Sequence, residues 1–211
     1  MKGEIMIKNW DITTIKEYDF CAFFDELNIR WHQKPGERAR LPQTFEDMFW
    51  NVHFFNFSLW HEEDQARRTD VSDHIIAQNK RNIDKYNQRR NDSIESLDSY
   101  ILTQLRISSK YREGFPLNSE TPGSIIDRLS IISLKVYHME EQTRREDATE
   151  EHRLTCKKKH QTLLEQRTDL SNCFSLLIID YISGKKSMKV YFQFKMYNDQ
   201  NLNPALYEKQ R

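Results

Sequence analysis

The feature that most constrains the fold is a long apolar stripe in the middle of the chain. Between the break at residues 70–72 and about Ser108, apolar residues recur at helical spacing, and neither glycine nor proline interrupts them. The stripe consists of Ile76, Ile83, Tyr86, Ile94, Leu97, Ile101 and Leu105. This spacing is typical of one face of an α-helix. It predicts an unusually long helix, against which the rest of the chain must pack.

Composition extends this prediction to the whole chain. The 211 residues include only 5 glycines and 5 prolines, and helix-forming residues are abundant. A chain of this length typically forms one domain and can bury a core without disulfide bonds. We therefore predict an all-α, single-domain bundle of about five helices over residues 1–211, with a short irregular C-terminal extension over residues 185–211.

Local signals place the first two helices. Residues 11–31 read as the first helix, with Asp11, Thr13 or Thr14 as its N-cap, and a loop follows from Trp31 to Gln43. A second helix begins at Thr44, because Thr44 and Asp47 have the spacing of a capping box.

The last two helices follow a second loop. The fourth helix starts at Thr121 and ends near residue 144, and the fifth ends before Gly184. The charged residues 146–151 form either a turn between them or part of one continuous helix. In the extension, the apolar residues Val190, Phe192, Phe194 and Met196 alternate as in a strand, but a strand without a partner is marginal.

Charge and cysteine usage narrow the function classes. The chain has 32 Lys and Arg residues against 32 Asp and Glu residues, so no overall basic field favours nucleic acid. Three cysteines without CxxC spacing do not form a disulfide framework. No apolar run has the length of a signal peptide or a membrane span. These observations predict a cytoplasmic protein that neither binds nucleic acid nor spans a membrane.

The segment Leu117–His138 combines a helix start suited to an anion with charged residues on the same face. Thr121 can cap the helix, Pro122 suits its first position, and Gly123 and Ser124 leave backbone N–H groups open. Backbone N–H groups at a helix start bind anions. Arg128 and Lys135 fall on the same side of this helix as Ser124.

Other polar residues interrupt apolar stripes on neighbouring helices. Arg90 and Asn79 lie in the stripe of the long helix, Asn87 lies at its margin, and Arg167 interrupts the stripe of the fifth helix. Buried polar groups need partners. Two interpretations stay open: an internal network in which Asp64, Asp127 and Glu120 neutralise the cations, or a site for a phosphorylated ligand. The predicted ligand-binding residues are Arg67, Asn87, Arg90, Glu120, Thr121, Gly123, Ser124, Arg128, Lys135 and Arg167.

The sequence does not decide whether the protein is an enzyme. It has neither a GxSxG elbow nor a Walker motif nor GxGxxG. For any catalysis, the best candidates are His61 or His138 as the general acid or base, with Asp64 or Asp127 orienting it.

One spacing on the fifth helix suits a metal, but its surroundings do not. His152, Cys156 and His160 follow i, i+4, i+8 spacing, yet Lys157, Lys158 and Lys159 lie among them and disfavour a cation. We therefore predict no metal and no cofactor.

Several ordered motifs carry a family resemblance. They are residues 56–67, 80–91, 117–138, 165–170 and 194–204. In these segments the chain resembles a family of small bacterial helical proteins classed as a domain of unknown function and often encoded beside lipopolysaccharide-core glycosyltransferases. The resemblance runs from Asn56 to Tyr207, leaves residues 1–43 outside, and implies a helical cytoplasmic protein in a cell-surface polysaccharide context, but no chemistry.

Two functional hypotheses follow. In the first, the protein binds a small anionic ligand, either a phosphorylated sugar or a sugar nucleotide. In the second, it is a non-catalytic adaptor whose buried charges are structural and whose surface engages a protein partner such as a glycosyltransferase. The oligomeric state is open in both.

Overall fold

Five long α-helices dominate the computed structural model, which describes residues 12–193 and 199–208. They are α1 (Phe20–Gln33), α2 (Phe45–Ala66), α3 (Asp73–Ile107), α4 (Pro122–Arg144) and α5 (Glu150–Ile182), followed by a short α6 (Pro204–Tyr207). No strand occurs within the described ranges, where Leu117 and Ser187 form an isolated bridge. The prediction of an all-α bundle with five main helices is confirmed.

The predicted start signals act as expected at α2 and α4. The Thr44 hydroxyl accepts from the Asp47 N–H while the Asp47 carboxylate accepts from the Thr44 N–H, which completes a capping box. The Thr121 hydroxyl caps α4 by accepting from the Ser124 N–H at 3.2 Å. A turn separates α4 from α5. Thr149 caps the start of α5, where its hydroxyl accepts from the His152 N–H.

The predicted bounds of the first helix are wrong at both ends. A 3₁₀ turn occupies Ile15–Glu17, and α1 begins only at Phe20, where the Asp19 carboxylate accepts from the Ala22 N–H at 2.9 Å. This cap satisfies a free N–H of the first turn, so the helix starts there. The predicted cap Asp11 lies outside the described residues. At its other end, α1 continues to Gln33 and includes His32.

All five helices share one main core, in which α4 contacts α1, α2, α3 and α5. Its fully buried side chains include Phe24, Phe49, Leu97, Ile126, Leu129 and Ile178. Burying each such side chain contributes about 1.5–3 kcal/mol. The predicted stripe of α3 belongs to this core mainly through its C-terminal half, since Leu97, Ile101 and Leu105 are buried while Ile76 is only partly covered.

The C-terminal extension packs back on the connector before α4. The Ser187 N–H donates to the Pro116 carbonyl at 3.0 Å, and the Phe115 N–H donates to the Ser187 hydroxyl at 3.0 Å. Met188 is buried in the main core. Phe194 and Met196, half of the predicted strand pattern, lie outside the described residues. Among the described residues, no helix combines the length and the apolar composition that a membrane span requires.

Candidate functional site

A polar cleft opens between α2, α3 and α4 and contains four of the predicted site residues. Its volume is about 410 Å³. The lining residues are Asn56, Leu59, Trp60, Glu63, Asp64 and Arg67 from α2, Asn87 and Arg90 from α3, and Ile131 and Leu134 from α4. The cleft thus combines apolar side chains and an aromatic ring with amides, carboxylates and guanidinium groups, as small-molecule sites in proteins do.

Arg90 is incompletely paired at the wall of this cleft. Its side chain is 25% exposed, and its Nε is buried without a hydrogen-bond partner among the described residues. The nearest carboxylate oxygen of Asp127 lies 3.9 Å from that Nε and already accepts from the Asn56 amide at 2.8 Å. Burial raises the pKa of Asp127, against the opposing effects of Asn56 and Arg90. Arg90 therefore retains a directional donor that the described protein groups leave unused.

Three histidines from three helices converge beside the cleft. His32 lies at the C-terminal end of α1, His61 on α2 and His138 on α4, and one ring nitrogen of each lies within 4.8 Å of the others. The Nε2 atom of each ring is buried and has no hydrogen-bond partner in the described part of the chain. We call His32, His61 and His138 the histidine cluster.

The Nδ1 side of each ring in the cluster faces an acceptor. His32 Nδ1 lies 2.7 Å from the Asn28 carbonyl oxygen, and His138 Nδ1 lies 2.8 Å from a Glu141 carboxylate oxygen. His61 Nδ1 is 3.9 Å from Asp64 Oδ2. Burial is the main cause that lowers the pKa of His32 and of His61, which favours the neutral imidazole in both.

Aromatic rings hold the cluster in place. Tyr137 stacks on His32 with centroids 4.2 Å apart, Trp60 stacks on His138 at 4.8 Å, and the edge of Phe57 meets His61 at 4.5 Å. Such contacts restrict the rotation of each imidazole. The structure thus brings together His61 and His138, the two alternatives predicted for a general acid or base, with Asp64 beside His61.

His32 is the member of the histidine cluster that was not predicted from the sequence. It follows Trp31, where the first helix was predicted to end, so its place on a helix face was not considered. A histidine in the last turn of a helix was the available signal, since it also suits the helix dipole. Its approach to His61 and His138 depends on tertiary packing, which no local pattern encodes.

Another histidine of α2, His53, is structural. It is fully buried and hydrogen-bonded through Nδ1 to the Ser130 hydroxyl at 2.8 Å and through Nε2 to Asn28 Oδ1 at 3.0 Å. Burial lowers its pKa to about 3. The ring is therefore neutral at neutral pH, with both nitrogens satisfied, and it contributes to the core instead of a site.

The predicted anion site at the start of α4 holds a carboxylate of the protein itself. The Gly123 N–H donates to Asp98 Oδ1 at 2.7 Å, and Asp98 is only 4% exposed. Burial raises the pKa of Asp98 to about 6, even though hydrogen bonds from Thr121 and Gly123 act in the opposite direction. Ser124 bonds to Thr121 instead of facing an open pocket. Asp98 was not among the predicted residues.

The structure does not gather the remaining predicted cations around one point. Arg128 forms a salt bridge with Glu120 on the surface, with shortest N–O distance 2.6 Å. Arg167 is buried and pairs with Asp25 at 2.6 Å, away from the cleft. Lys135 lines a separate cavity of about 620 Å³ together with His138 and Trp60. Arg67, at the cleft, pairs with Glu63 at 2.8 Å.

Comparison with known proteins gives a family but no activity. No curated protein and no solved structure matches the chain. The model of one protein family, described as protein of unknown function (DUF4254), matches residues 46–190. The matched segment runs from α2 to the start of the C-terminal extension and includes the whole polar cleft, His61 and His138, whereas His32 precedes it. Because the match covers most of its length, the chain belongs to the DUF4254 family.

Proposed function

We propose that the protein binds a phosphorylated sugar or a sugar nucleotide in the polar cleft. The observation that carries this proposal is the Arg90 guanidinium, whose buried Nε has no acceptor among the described residues. A buried donor without a partner costs about 1–3 kcal/mol. A phosphate oxygen would satisfy it, and guanidinium groups bind phosphate through paired N–H bonds.

The other walls of the cleft suit the sugar part of such a ligand. Glu63 and Asp64 offer carboxylate acceptors for hydroxyl groups, and the Asn87 amide can both donate and accept. The indole of Trp60 offers a flat apolar surface for the face of a pyranose ring. A ligand with hydroxyl groups at one end and an anion at the other would use all these groups at once.

The sequence resemblance supplies a biological context for this proposal. It implies that the ligand serves the assembly of a cell-surface polysaccharide in a bacterial cytoplasm, where a glycosyltransferase would be the natural protein partner. We propose binding of this ligand. A reaction would also require an activated catalytic group next to the bound ligand.

Isothermal titration with glucose 1-phosphate and UDP-glucose tests the proposal, with glucose alone and sulfate as controls. Arg90→Gln should weaken binding roughly 10- to 100-fold, because a charge-assisted hydrogen bond contributes about 1.5–3 kcal/mol. Arg89→Ala is the matched control, since Arg89 is the exposed neighbour on the same helix. If neither probe binds and the intact protein instead forms a stable complex with a glycosyltransferase, the adaptor hypothesis replaces this one.

A further inference from the structure

We infer that His32, His61 and His138 form a binding site for one divalent transition-metal ion of the zinc type, coordinated through their Nε2 atoms. This inference concerns a different ligand from the one proposed for the polar cleft. It rests on the arrangement of the three rings, and it stands whether or not the cleft binds a sugar phosphate.

The hydrogen bonds on the outer side of the cluster determine which ring nitrogen carries the proton. The Asn28 carbonyl has no hydrogen to donate, so the His32 Nδ1 atom at 2.7 Å must be the donor. The same argument applies to His138, whose Nδ1 faces the Glu141 carboxylate at 2.8 Å. In a neutral imidazole with a proton on Nδ1, Nε2 carries a free lone pair.

These lone pairs lack partners within the protein. The Nε2 atoms of all three histidines are buried, and none has a hydrogen-bond partner in residues 12–193 and 199–208. A buried acceptor without a donor is costly. The Nε2 atoms of His32 and His138 are such acceptors, and the Nε2 atom of His61 is buried beside them without a partner of its own. A cation between the three rings would satisfy all three nitrogens.

The three rings lie near enough for one ion to reach all of them after a small adjustment. One ring nitrogen from each histidine lies within 4.8 Å of the others. Zinc binds imidazole nitrogen at about 2.0–2.1 Å, so the ligands of a tetrahedral site lie roughly 3.4 Å apart. Small side-chain rotations would close this difference. The rings of His61 and His138 are half-buried at the bundle surface, so a small tilt of each ring is possible while the aromatic contacts and the Nδ1 hydrogen bonds are kept.

The donor set indicates the class of ion. Imidazole nitrogen suits zinc, copper, nickel and iron, while magnesium and calcium prefer oxygen ligands. Three histidines leave one tetrahedral position for water or another ligand, which is the composition of catalytic zinc sites.

The groups on the Nδ1 side match the outer shell of metal sites. Histidines that bind metals usually donate their other ring N–H to a carboxylate or a backbone carbonyl, which fixes the tautomer. Glu141 and the Asn28 carbonyl fill these roles for His138 and His32. Glu141 is thus a positioning residue, and its carboxylate would raise the basicity of His138.

Titration with ZnCl2, followed by calorimetry and by elemental analysis of the dialysed protein, tests the inference on the full chain. We expect one zinc ion per chain and a higher melting temperature with zinc than with EDTA. His61→Ala should weaken zinc binding more than about 100-fold, because removing even an outer-shell partner costs 10- to 100-fold. CoCl2 should give the intense visible absorption of four-coordinate cobalt.

Three further variants separate this site from its alternatives. His74→Ala, an exposed histidine on α3, should leave zinc affinity unchanged. Glu141→Gln changes a half-exposed side chain and so should preserve the fold, yet it should weaken zinc binding roughly 10- to 100-fold. Zinc binding that survives His61→Ala but is lost in His152→Ala, whose ring nitrogen lies 3.4 Å from the Cys156 sulfur, would overturn the inference. Failure to bind zinc or cobalt would overturn it equally.

Discussion

The indole of Trp60 stacks almost parallel to the imidazole of His138, with centroids 4.8 Å apart and an interplanar angle of 9°. Trp60 also lines the polar cleft, so one side chain joins the cleft to the histidine cluster. Asp64 provides a second connection, because it lines the cleft and approaches His61 Nδ1 at 3.9 Å. The polar cleft and the histidine cluster therefore share a wall.

Replacing Trp60 should affect both proposed ligands. Trp60→Leu removes the surface on which a sugar would pack and the ring that holds His138, so glucose 1-phosphate and zinc should each bind roughly 2- to 10-fold more weakly. Trp60→Phe keeps an aromatic ring and should retain most of both affinities. Calorimetric titrations of the three proteins provide the comparison. Unchanged affinities in Trp60→Leu would show that this side chain does not serve either site.

Gly123 should be required for stability even without a ligand. A Cβ atom added there would lie 2.8 Å from the Ile94 carbonyl oxygen and 2.8 Å from Asp98 Oδ1. Since the carbonyl belongs to the backbone of α3, the helices must separate, and overpacking of this kind costs about 1–3 kcal/mol. Urea unfolding of Gly123→Ala measures the loss. A variant as stable as the wild type would contradict the close packing of α4 on α3.

Asp98 should make the stability depend on pH. Its pKa is raised from 3.8 to about 6, so the folded state holds its proton more tightly than the unfolded state does. The resulting stabilisation is complete below about pH 4 and is lost as the pH rises through about 6, with a total near 3 kcal/mol. Asp98→Asn keeps an oxygen acceptor for Gly123 but cannot titrate.

Urea unfolding of both proteins between about pH 4 and pH 7.5 isolates this effect. The wild type should lose stability relative to Asp98→Asn as the pH increases. Parallel curves for the two proteins would rule out a raised pKa at Asp98.

Arg128 and Arg167, both predicted as ligand-binding residues, should differ in how much they contribute to the stability of the fold. Arg128 and Glu120 are 52% and 37% exposed, so Arg128→Ala should cost less than about 1 kcal/mol. Arg167 is buried and bonds to Asp25 and Ser133, so Arg167→Ala should cost about 2 kcal/mol or more through lost charged hydrogen bonds. The urea concentrations at the unfolding midpoints of the two variants give the comparison. Equal midpoints would contradict the assigned burial.

Periodicity and caps predicted the helices because both signals are local. The start of α2 at Thr44 and of α4 at Thr121 needed only residues within one turn, and these starts were predicted correctly. The start of α1 was predicted too early because Asp11, Thr13 and Thr14 were the expected caps, whereas Asp19 caps the helix in the structure.

The candidate site was harder to predict from the sequence than the helices were, because its contacts join segments that are far apart in the chain. Arg90 and Asn87 were detectable as polar residues in or beside an apolar stripe, and both line the cleft. Asp98 was not predicted because its partner is the backbone N–H of Gly123, and a residue pattern does not show which backbone groups form such hydrogen bonds. His32 was not predicted because three helices must pack before its ring meets the other two.

A single spectroscopic measurement tests whether the two proposed ligands bind side by side, as the wall shared by the cleft and the cluster implies. Paramagnetic cobalt broadens the phosphorus resonance of a bound phosphate, and the effect falls steeply with distance. With glucose 1-phosphate and CoCl2 added to the protein, we predict strong broadening of the ³¹P resonance that His32→Ala abolishes and His74→Ala preserves. A phosphorus resonance that is equally broad in the wild type and in His32→Ala would contradict binding of the two ligands side by side.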